Sequence, residues 1–306
     1  MGRPRDTGAA PGGIVMMEPT LSIVIPAYNE APRIEPVLKG LQTILSGQAY
    51  EIIVVDDGST DETRKVAESV GGVTVVRNPQ RKGYGGAIKT GVRRAKGEWI
   101  LLLDADGQHQ PSEIPKLLEQ KDQGDMIVGS REGESLYRAG RLFGRKVVRR
   151  LAEFLVESRI PDLNSGLRLV RRELLLDRFS LLPNGFSLST TLTLALLKAG
   201  YTVVFVPVTV TAREGSSSRV RIFRDSIRTI LLMVRITTMF NPLKVFLPIS
   251  CFLWFLGLVY LIEEIVRGFN IADGAVLLII AGTIIFFFGI LADQISTLQR
   301  EIRRRD

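Results

Sequence analysis

The sequence predicts an α/β fold: a mostly parallel sheet with helices on both faces, then an amphipathic helix and a two-helix transmembrane hairpin. Three observations predict it. Short β-branched runs alternate with helix-like segments over residues 20–212. Carboxylates cluster directly after those runs, where open parallel sheets bind ligands. Two long apolar runs follow near the C-terminus.

The strands come first. Leu21-Ser-Ile-Val-Ile-Pro26, Ile52-Ile-Val-Val55, Val73-Thr-Val-Val-Arg77 and Trp99-Ile-Leu-Leu-Leu103 are short and largely apolar, as strands buried on both faces are. Helices are predicted between them over Arg33–Leu45, Thr60–Ser69 and Gly85–Ala95. Ser59-Thr-Asp-Glu62 supplies helix-start chemistry for the second of these. Met126-Ile-Val-Gly-Ser-Arg131 reads as a further strand. A basic helical region to Arg159, the stretch Asp162-Leu-Asn-Ser-Gly-Leu-Arg168, and a helix over Leu188–Lys198 closed by Gly200 come next. Val203-Val-Phe-Val-Pro-Val208 is predicted as an edge strand, because its proline cannot donate to a ladder.

Beyond the sheet, Val220–Phe240 carries Arg221, Arg224, Arg228 and Arg235 at helical spacing, opposite Ile222, Phe223, Ile227, Ile230, Leu231 and Val234. Such a basic amphipathic helix suits an anionic bilayer surface. Val245–Ile262 and Ala275–Ala292 are apolar enough to span a bilayer. Their outer flanks are basic (Lys244; Arg300 and Arg303 to Arg305) and their connector is more acidic than basic. The positive-inside rule therefore predicts a multi-pass membrane protein with the catalytic domain and both termini cytosolic. The expected division is a disordered tail over 1–19, a catalytic domain over 20–212, a juxtamembrane amphipathic region over 213–243, the hairpin over 244–293 and a basic cytosolic tail over 294–306.

Composition narrows the chemistry. The net charge of +8 suits nucleic acid, anionic lipid or a phosphate-bearing substrate. The arginines cluster beside the spans, so nucleic acid is not expected. One cysteine and one histidine exclude an intrachain disulfide and a Cys/His zinc site. There is no P-loop and no G-x-G-x-x-G, which removes the P-loop and dehydrogenase readings. Gly83-Tyr-Gly-Gly86 reads as a tight turn into a helix.

Three strand ends carry the candidate site: Pro26-Ala-Tyr-Asn-Glu30, Asp56-Asp-Gly-Ser-Thr-Asp61 and Asp104-Ala-Asp-Gly-Gln-His-Gln-Pro111. Asp104 and Asp106 at one strand end place two carboxylates within reach of one hard cation, Mg²⁺ or Mn²⁺, with Gln108 adding an amide oxygen. Such a cation neutralises a diphosphate leaving group. Asp57 is placed to accept a hydrogen bond from a base or ribose hydroxyl, or to cap the following helix, and Tyr28 to stack on a base or pack in its loop.

Together, Pro26-Ala-Tyr-Asn-Glu30, Val55-Asp-Asp-Gly-Ser-Thr-Asp61, Asp104-Ala-Asp-Gly-Gln108 and Gly129-Ser-Arg131, in this order, resemble the family 2 glycosyltransferases of GT-A fold, and among them the dolichyl- and polyprenyl-phosphate enzymes. The resemblance implies that Pro26, Tyr28, Glu30, Val55 and Asp57 bind the nucleotide of a nucleotide sugar of GDP-mannose or UDP-glucose type. It implies that Asp104, Ala105, Asp106 and Gln108 meet metal and diphosphate, and that Arg131 lines the sugar and acceptor site, with Asp106 and Arg131 catalytic. Arg213-Glu-Gly-Ser-Ser-Ser-Arg219 resembles a late phosphate-binding motif of the family, with Arg219 where lysine is usual. Asp162 and Arg168 match a region near the acceptor without an assigned role.

Many relatives carry an acid in the helix after an Asn-Gly-Phe-type turn. Here that stretch reads Gly185-Phe-Ser-Leu-Ser-Thr-Thr191, without one. A hydroxyl acceptor needs a general base; a lipid phosphate is already anionic, its second pKa being about 6. The expected reaction is metal-dependent, inverting transfer of a hexose to a polyprenyl phosphate, dolichyl or undecaprenyl, held by Arg131, Arg213 and Arg219. The alternatives are a family 2 transferase with another acceptor in cell-wall or surface glycan synthesis, and a non-catalytic membrane-tethered scaffold. The lipid bilayer is a partner on any reading, and a homo-oligomer is compatible with it.

Overall fold

The computed structural model describes residues 19–131, 159–163, 165–211, 241–267 and 273–305, together with Glu153, Val234 and Thr238. The basic stretch before Arg159, the amphipathic segment over 220–240, and Arg213 and Arg219 lie outside them.

Seven strands form one sheet: β1 (Leu21–Ala27), β2 (Tyr50–Asp56), β3 (Val73–Arg77), β4 (Trp99–Leu102), β5 (Met126–Arg131), β6 (Arg168–Arg171) and β7 (Val203–Val208). Their order is β3-β2-β1-β4-β6-β5-β7. Pairing is parallel except for β6, which runs antiparallel to both β4 and β5. β7 lies at the edge, as Pro207 requires.

Helices α1 (Ala31–Ile44), α2 (Thr63–Ser69) and α3 (Tyr84–Arg94) connect the first four strands, and the short α4 (Ile114–Leu118) lies between β4 and β5. Alternate residues of the central strands feed two separate cores. Ile23, Ile25, Ile52, Val54 and Leu101 pack with Ile34, Leu38 and Leu41 of α1. Val24, Ile53, Val55, Ile100 and Leu102 pack with Ile88 and Val92 of α3. Both faces are buried, so the strands carry no polar alternation except Ser22, whose hydroxyl donates to Glu51 at 2.6 Å. On the second side, α5 (Arg172–Asp177) and α6 (Leu188–Lys198) contribute Leu174, Leu175, Leu188, Leu192 and Leu196. Gly200 ends α6 at φ +84°, a left-handed position that favours glycine.

Helices α7 (Leu243–Val266) and α8 (Asp273–Arg305) pack against each other, and both are long and apolar enough to cross a membrane. The Trp254 indole donates to the Thr283 hydroxyl at 3.1 Å across the pair. Glycines make the approach close: a Cβ at Gly282 would meet the Trp254 ring, and one at Gly289 would meet Phe246. Most of the large apolar side chains of both helices face outward, with Phe252, Phe255, Phe287 and Phe288 at 58–64% exposure. That is the inverse of a soluble core helix. α8 also runs on through the basic residues after 294 that were expected as a tail, since no glycine or proline follows Gly289 to stop it.

Candidate active site

Sheet register builds the crevice. Pro26 lies opposite Val55 and Ala27 opposite Asp56, so Tyr28 and Asp57 leave the sheet side by side. The two loops are then laced together. Asn29, at φ +55°, receives the N–H of Thr60 on its Oδ1 (2.9 Å) and donates its own N–H to Ser59 Oγ (3.1 Å). Asp61 accepts from the N–H groups of Ala31 and Thr63. Glu30 donates its N–H to Thr63 Oγ1 at 2.8 Å, and its carboxylate pairs with Arg33 at 2.9 Å.

Asp57 is buried at 3% exposure. Its Oδ1 accepts from Asn78 Nδ2 (2.8 Å) and the Lys82 N–H (2.9 Å), and its Oδ2 from the Gly83 N–H (2.8 Å). One carboxylate thus anchors the loop between β3 and α3. That loop brings Arg81 over Tyr28, with the guanidinium carbon 3.8 Å from the ring centroid.

The glycines that follow serve close approach. Gly83 has φ +86°, and the Gly86 N–H donates to the Asn184 carbonyl at 3.1 Å. A Cβ at Gly83 would sit 2.7 Å from that oxygen, and one at Gly85 would collide with the Pro183 carbonyl. Lys89 closes the contact by donating to the Leu182 carbonyl (2.6 Å) and Asn184 Oδ1 (3.0 Å).

Asp104 leaves β4 beside the point where β6 enters, because Leu102 pairs with Arg168 in the antiparallel register. The Tyr84 hydroxyl shares hydrogen bonds with Asp104 and Ser189. The Tyr84 ring stacks on Phe186 with centroids 5.5 Å apart. On its other side Asp104 abuts Gly166, where no side chain would fit. Asp104 Oδ1 is buried and has no hydrogen-bond partner. Burial, and then the neighbouring Asp106 charge, push Asp104 up to about 6. Asp106 accepts the Gln108 N–H at 3.1 Å across the turn at Gly107. Ala105 is buried between the two acids.

The loop then meets the other half of the sheet. The Thr211 N–H donates to the Gln108 carbonyl (3.0 Å) and its hydroxyl to the Gly107 carbonyl (3.2 Å). His109 forms a bridge with Val210. This sole histidine is buried, and burial, then the Arg131 charge, hold it down to about 4, so it is neutral. Arg131, ending β5, grips Asp162 with Nε–Oδ2 at 2.6 Å and Nη2–Oδ1 at 2.9 Å. Beneath lies Arg168, fully buried and pulled down to about 10 by that burial.

With this geometry in place, comparison with known proteins is decisive. The family model for glycosyl transferase family 2 matches residues 22–179, more than half of the chain. The chain belongs to this family. A second model, the GtrB C-terminal hairpin, matches residues 241–298, which contain α7 and most of α8. Over 297 residues the chain is 30% identical to the glycosyltransferase AglJ of Haloferax volcanii, covering 92% of this chain and 96% of that protein. It is 34% identical over 213 residues to a dolichol-phosphate mannosyltransferase of Pyrococcus furiosus, covering 66% of this chain and 59% of that protein. Among solved structures it resembles glucosyl-3-phosphoglycerate synthase from Mycobacterium tuberculosis in complex with Mg²⁺ and uridine diphosphate. There the TM-score is 0.58, with 25% identity, covering 70% of this chain and 79% of that one.

In this family 2 glycosyltransferase Pro26, Tyr28, Glu30, Val55, Asp57, Asp104, Ala105, Asp106, Gln108 and Arg131, all singled out from sequence, lie at or just beyond the C-terminal ends of β1, β2, β4 and β5. A divalent cation fits the Asp104 end. The orphaned buried Oδ1 is an oxygen donor awaiting a partner, with Asp106 beside it. No group of three or more His, Cys, Asp or Glu that could hold a metal occurs among the described residues. A magnesium-type ion is typically held by one or two carboxylates plus substrate phosphates. Sequence reasoning missed Arg81, Tyr84 and Gly166, and left Arg168 without a role. The glycine turn was the one available signal for Tyr84.

Proposed function

We propose that this enzyme transfers a hexose from a nucleotide sugar to a polyprenyl phosphate, with inversion and dependence on Mg²⁺ or Mn²⁺. The observation that carries the reading is the start of α6, which reaches Asp104 through Ser189 and the Tyr84 hydroxyl. Ser189, Thr190, Thr191 and Thr193 of α6 are buried there, in hydroxyl hydrogen bonds, with no carboxylate among them. The nearby carboxylates are engaged: Asp162 by Arg131, Asp57 by its loop, Glu30 by Arg33. A hydroxyl acceptor needs a base and a phosphate does not. The similarity to a dolichol-phosphate mannosyltransferase and the match to a C-terminal hairpin support the same acceptor.

In this reading Tyr28 and Asp57, with Pro26, Glu30 and Val55, hold the nucleotide. Asp104, Asp106 and Gln108 hold the cation, which supplies neutralisation of the diphosphate as it leaves. An acceptor phosphate oxygen bonds to the anomeric carbon as the bond to the diphosphate breaks on the opposite face. Arg131 orients that phosphate. Arg213 and Arg219, which the resemblance assigns to phosphate, follow in sequence after Thr211, itself tied to Gln108. The apolar hairpin and its basic flanks support a multi-pass protein whose catalytic domain and termini face the cytosol. The test is Asp106→Asn in the full chain, assayed for lipid-linked sugar across Mn²⁺ concentrations. Loss of metal-dependent transfer is expected; unchanged transfer would overturn the metal assignment.

A further inference from the structure

Arg168 is a buried cation without a hydrogen-bonded acid. Its relative exposure is 0%. The Nε donates to the Ser165 carbonyl at 2.8 Å, Nη1 to Thr193 Oγ1 at 2.6 Å and Nη2 to the Leu163 carbonyl at 3.0 Å. Burying a guanidinium among neutral acceptors is costly, and an apolar side chain of similar volume would ordinarily serve stability as well or better. The fork therefore demands an explanation beyond packing.

What it joins supplies one. Leu163 and Ser165 flank the turn between Asp162 and Gly166, and Thr193 belongs to α6, whose Thr193 hydroxyl donates to the Ser189 carbonyl at 3.0 Å. Thr190 Oγ1 also donates to the Leu163 carbonyl at 3.4 Å. Arg168 and Thr190 thus both tie this stretch to α6, and of the two Arg168 bonds both Leu163 and Ser165. At one end of the turn Asp162 grips Arg131; near the other, Gly166 backs the Asp104 carboxylate. The stretch that Arg168 braces therefore touches two groups on different strands, Arg131 at the end of β5 and Asp104 after β4.

We propose that Arg168 is a positioning residue for the transfer reaction: its three-armed fork fixes the Leu163–Gly166 turn on α6 and so holds Asp104 and the Arg131–Asp162 pair in register. The inference rests on the proposed use of those groups on diphosphate and acceptor. Fork geometry, not charge alone, is what the arrangement needs. Lysine keeps the charge, but one ammonium on a flexible stem does not reproduce a planar fork.

The test compares wild type, Arg168→Lys and Thr193→Val as full-length purified chains, with two readouts. One is steady-state sugar transfer. The other is Mn²⁺ binding in the presence of the nucleoside diphosphate, followed by electron paramagnetic resonance. Arg168→Lys is expected to lower kcat at least about 10-fold and to weaken Mn²⁺ binding, with donor KM within about 3-fold of wild type, since a displacement near 1 Å costs up to about 10²-fold in rate. Thr193→Val removes one arm while keeping the side-chain volume. It is expected to lower kcat by several-fold per folded molecule, with a melting temperature a few degrees below wild type because the Arg168 Nη1–H loses its partner. Wild-type kcat and Mn²⁺ binding in both variants would overturn the proposal. So would a loss of activity tracked wholly by a loss of folded protein. A wild-type chain that transfers no sugar to any polyprenyl phosphate would instead refute the functional reading, and the Mn²⁺ comparison would still decide the placement of Asp104 by Arg168.

Discussion

Gly166→Ala probes the placement of Asp104 with a single methyl group. An ideal Cβ at this position collides with Oδ2 and Cγ of Asp104 and comes within 2.8 Å of Oδ1. Ordinary contact needs roughly 3.5 Å, so the carboxylate must retreat by more than about 1 Å. Its hydrogen bond with Tyr84 is then strained or broken. Overpacking of this kind costs about 1–3 kcal/mol of stability. Misplacement by about 1 Å costs up to about 10²-fold in rate. The expected result is therefore a folded protein, melting a few degrees lower, with kcat/KM for sugar transfer reduced about 10²-fold and the Mn²⁺ concentration for half-activation raised. Gly71→Ala is the control, because its Cβ meets nothing within 4 Å and its φ is not left-handed; it should be neutral or slightly stabilising. Gly166→Ala with wild-type kcat/KM and metal response would refute the reasoning that Asp104 is held in one working position.

Further predictions follow from the same geometry. Asp57→Ala strands one buried donor, from Asn78, and two part-buried N–H groups; at about 1–3 kcal/mol for the buried one and less for the others, it should lower stability by about 2–4 kcal/mol in urea unfolding, and a loss under about 1 kcal/mol would mean the loop is anchored elsewhere. Tyr28→Ala and Arg81→Ala should each raise donor KM several-fold with little change in kcat, measured by steady-state kinetics; a pure kcat effect would move both residues away from the base. Asp104 is raised to about 6, and a proton competes with the cation for its carboxylate, so Mn²⁺ affinity should fall as pH drops through about 6, read by titration of the metal-free protein. In that metal-free protein the ionised Asp104 also disfavours folding at neutral pH, a penalty relieved as pH falls through the same range.

The parallel half of the sheet was legible because strands buried on both faces leave uninterrupted runs such as Ile52–Val55. β6 was not, since Arg168-Leu-Val-Arg171 is short and ends in arginine at both sides; its pairing with β4 and β5 comes from tertiary register. The strand ends revealed Tyr28, Asp57, Asp104 and Arg131 through one rule about where ligands sit on such sheets. What surrounds them was hidden by sequence distance. Tyr84 and Gly166 meet Asp104 only once α3 and β6 are placed, and no local pattern encodes that meeting. Asp57 shows the same blindness: its position pointed to a nucleotide, while its carboxylate also holds a loop some 25 residues onward. The apolar spans were plain from composition, but the end of α8 was not, because arginines after a span read equally as helix or tail.

The most direct measurement of the central claim offers the purified full-length chain one nucleotide sugar and two acceptors, a polyprenyl phosphate and the corresponding free polyprenol, with Mn²⁺ and with chelator. The account predicts phosphate-linked sugar from the first acceptor only, abolished by chelation, since on the proposed reading cations hold the acceptor and Asp104 and Asp106, turned to the metal, leave no carboxylate among the described residues to act as its base. Transfer to the polyprenol hydroxyl at a comparable rate would contradict it.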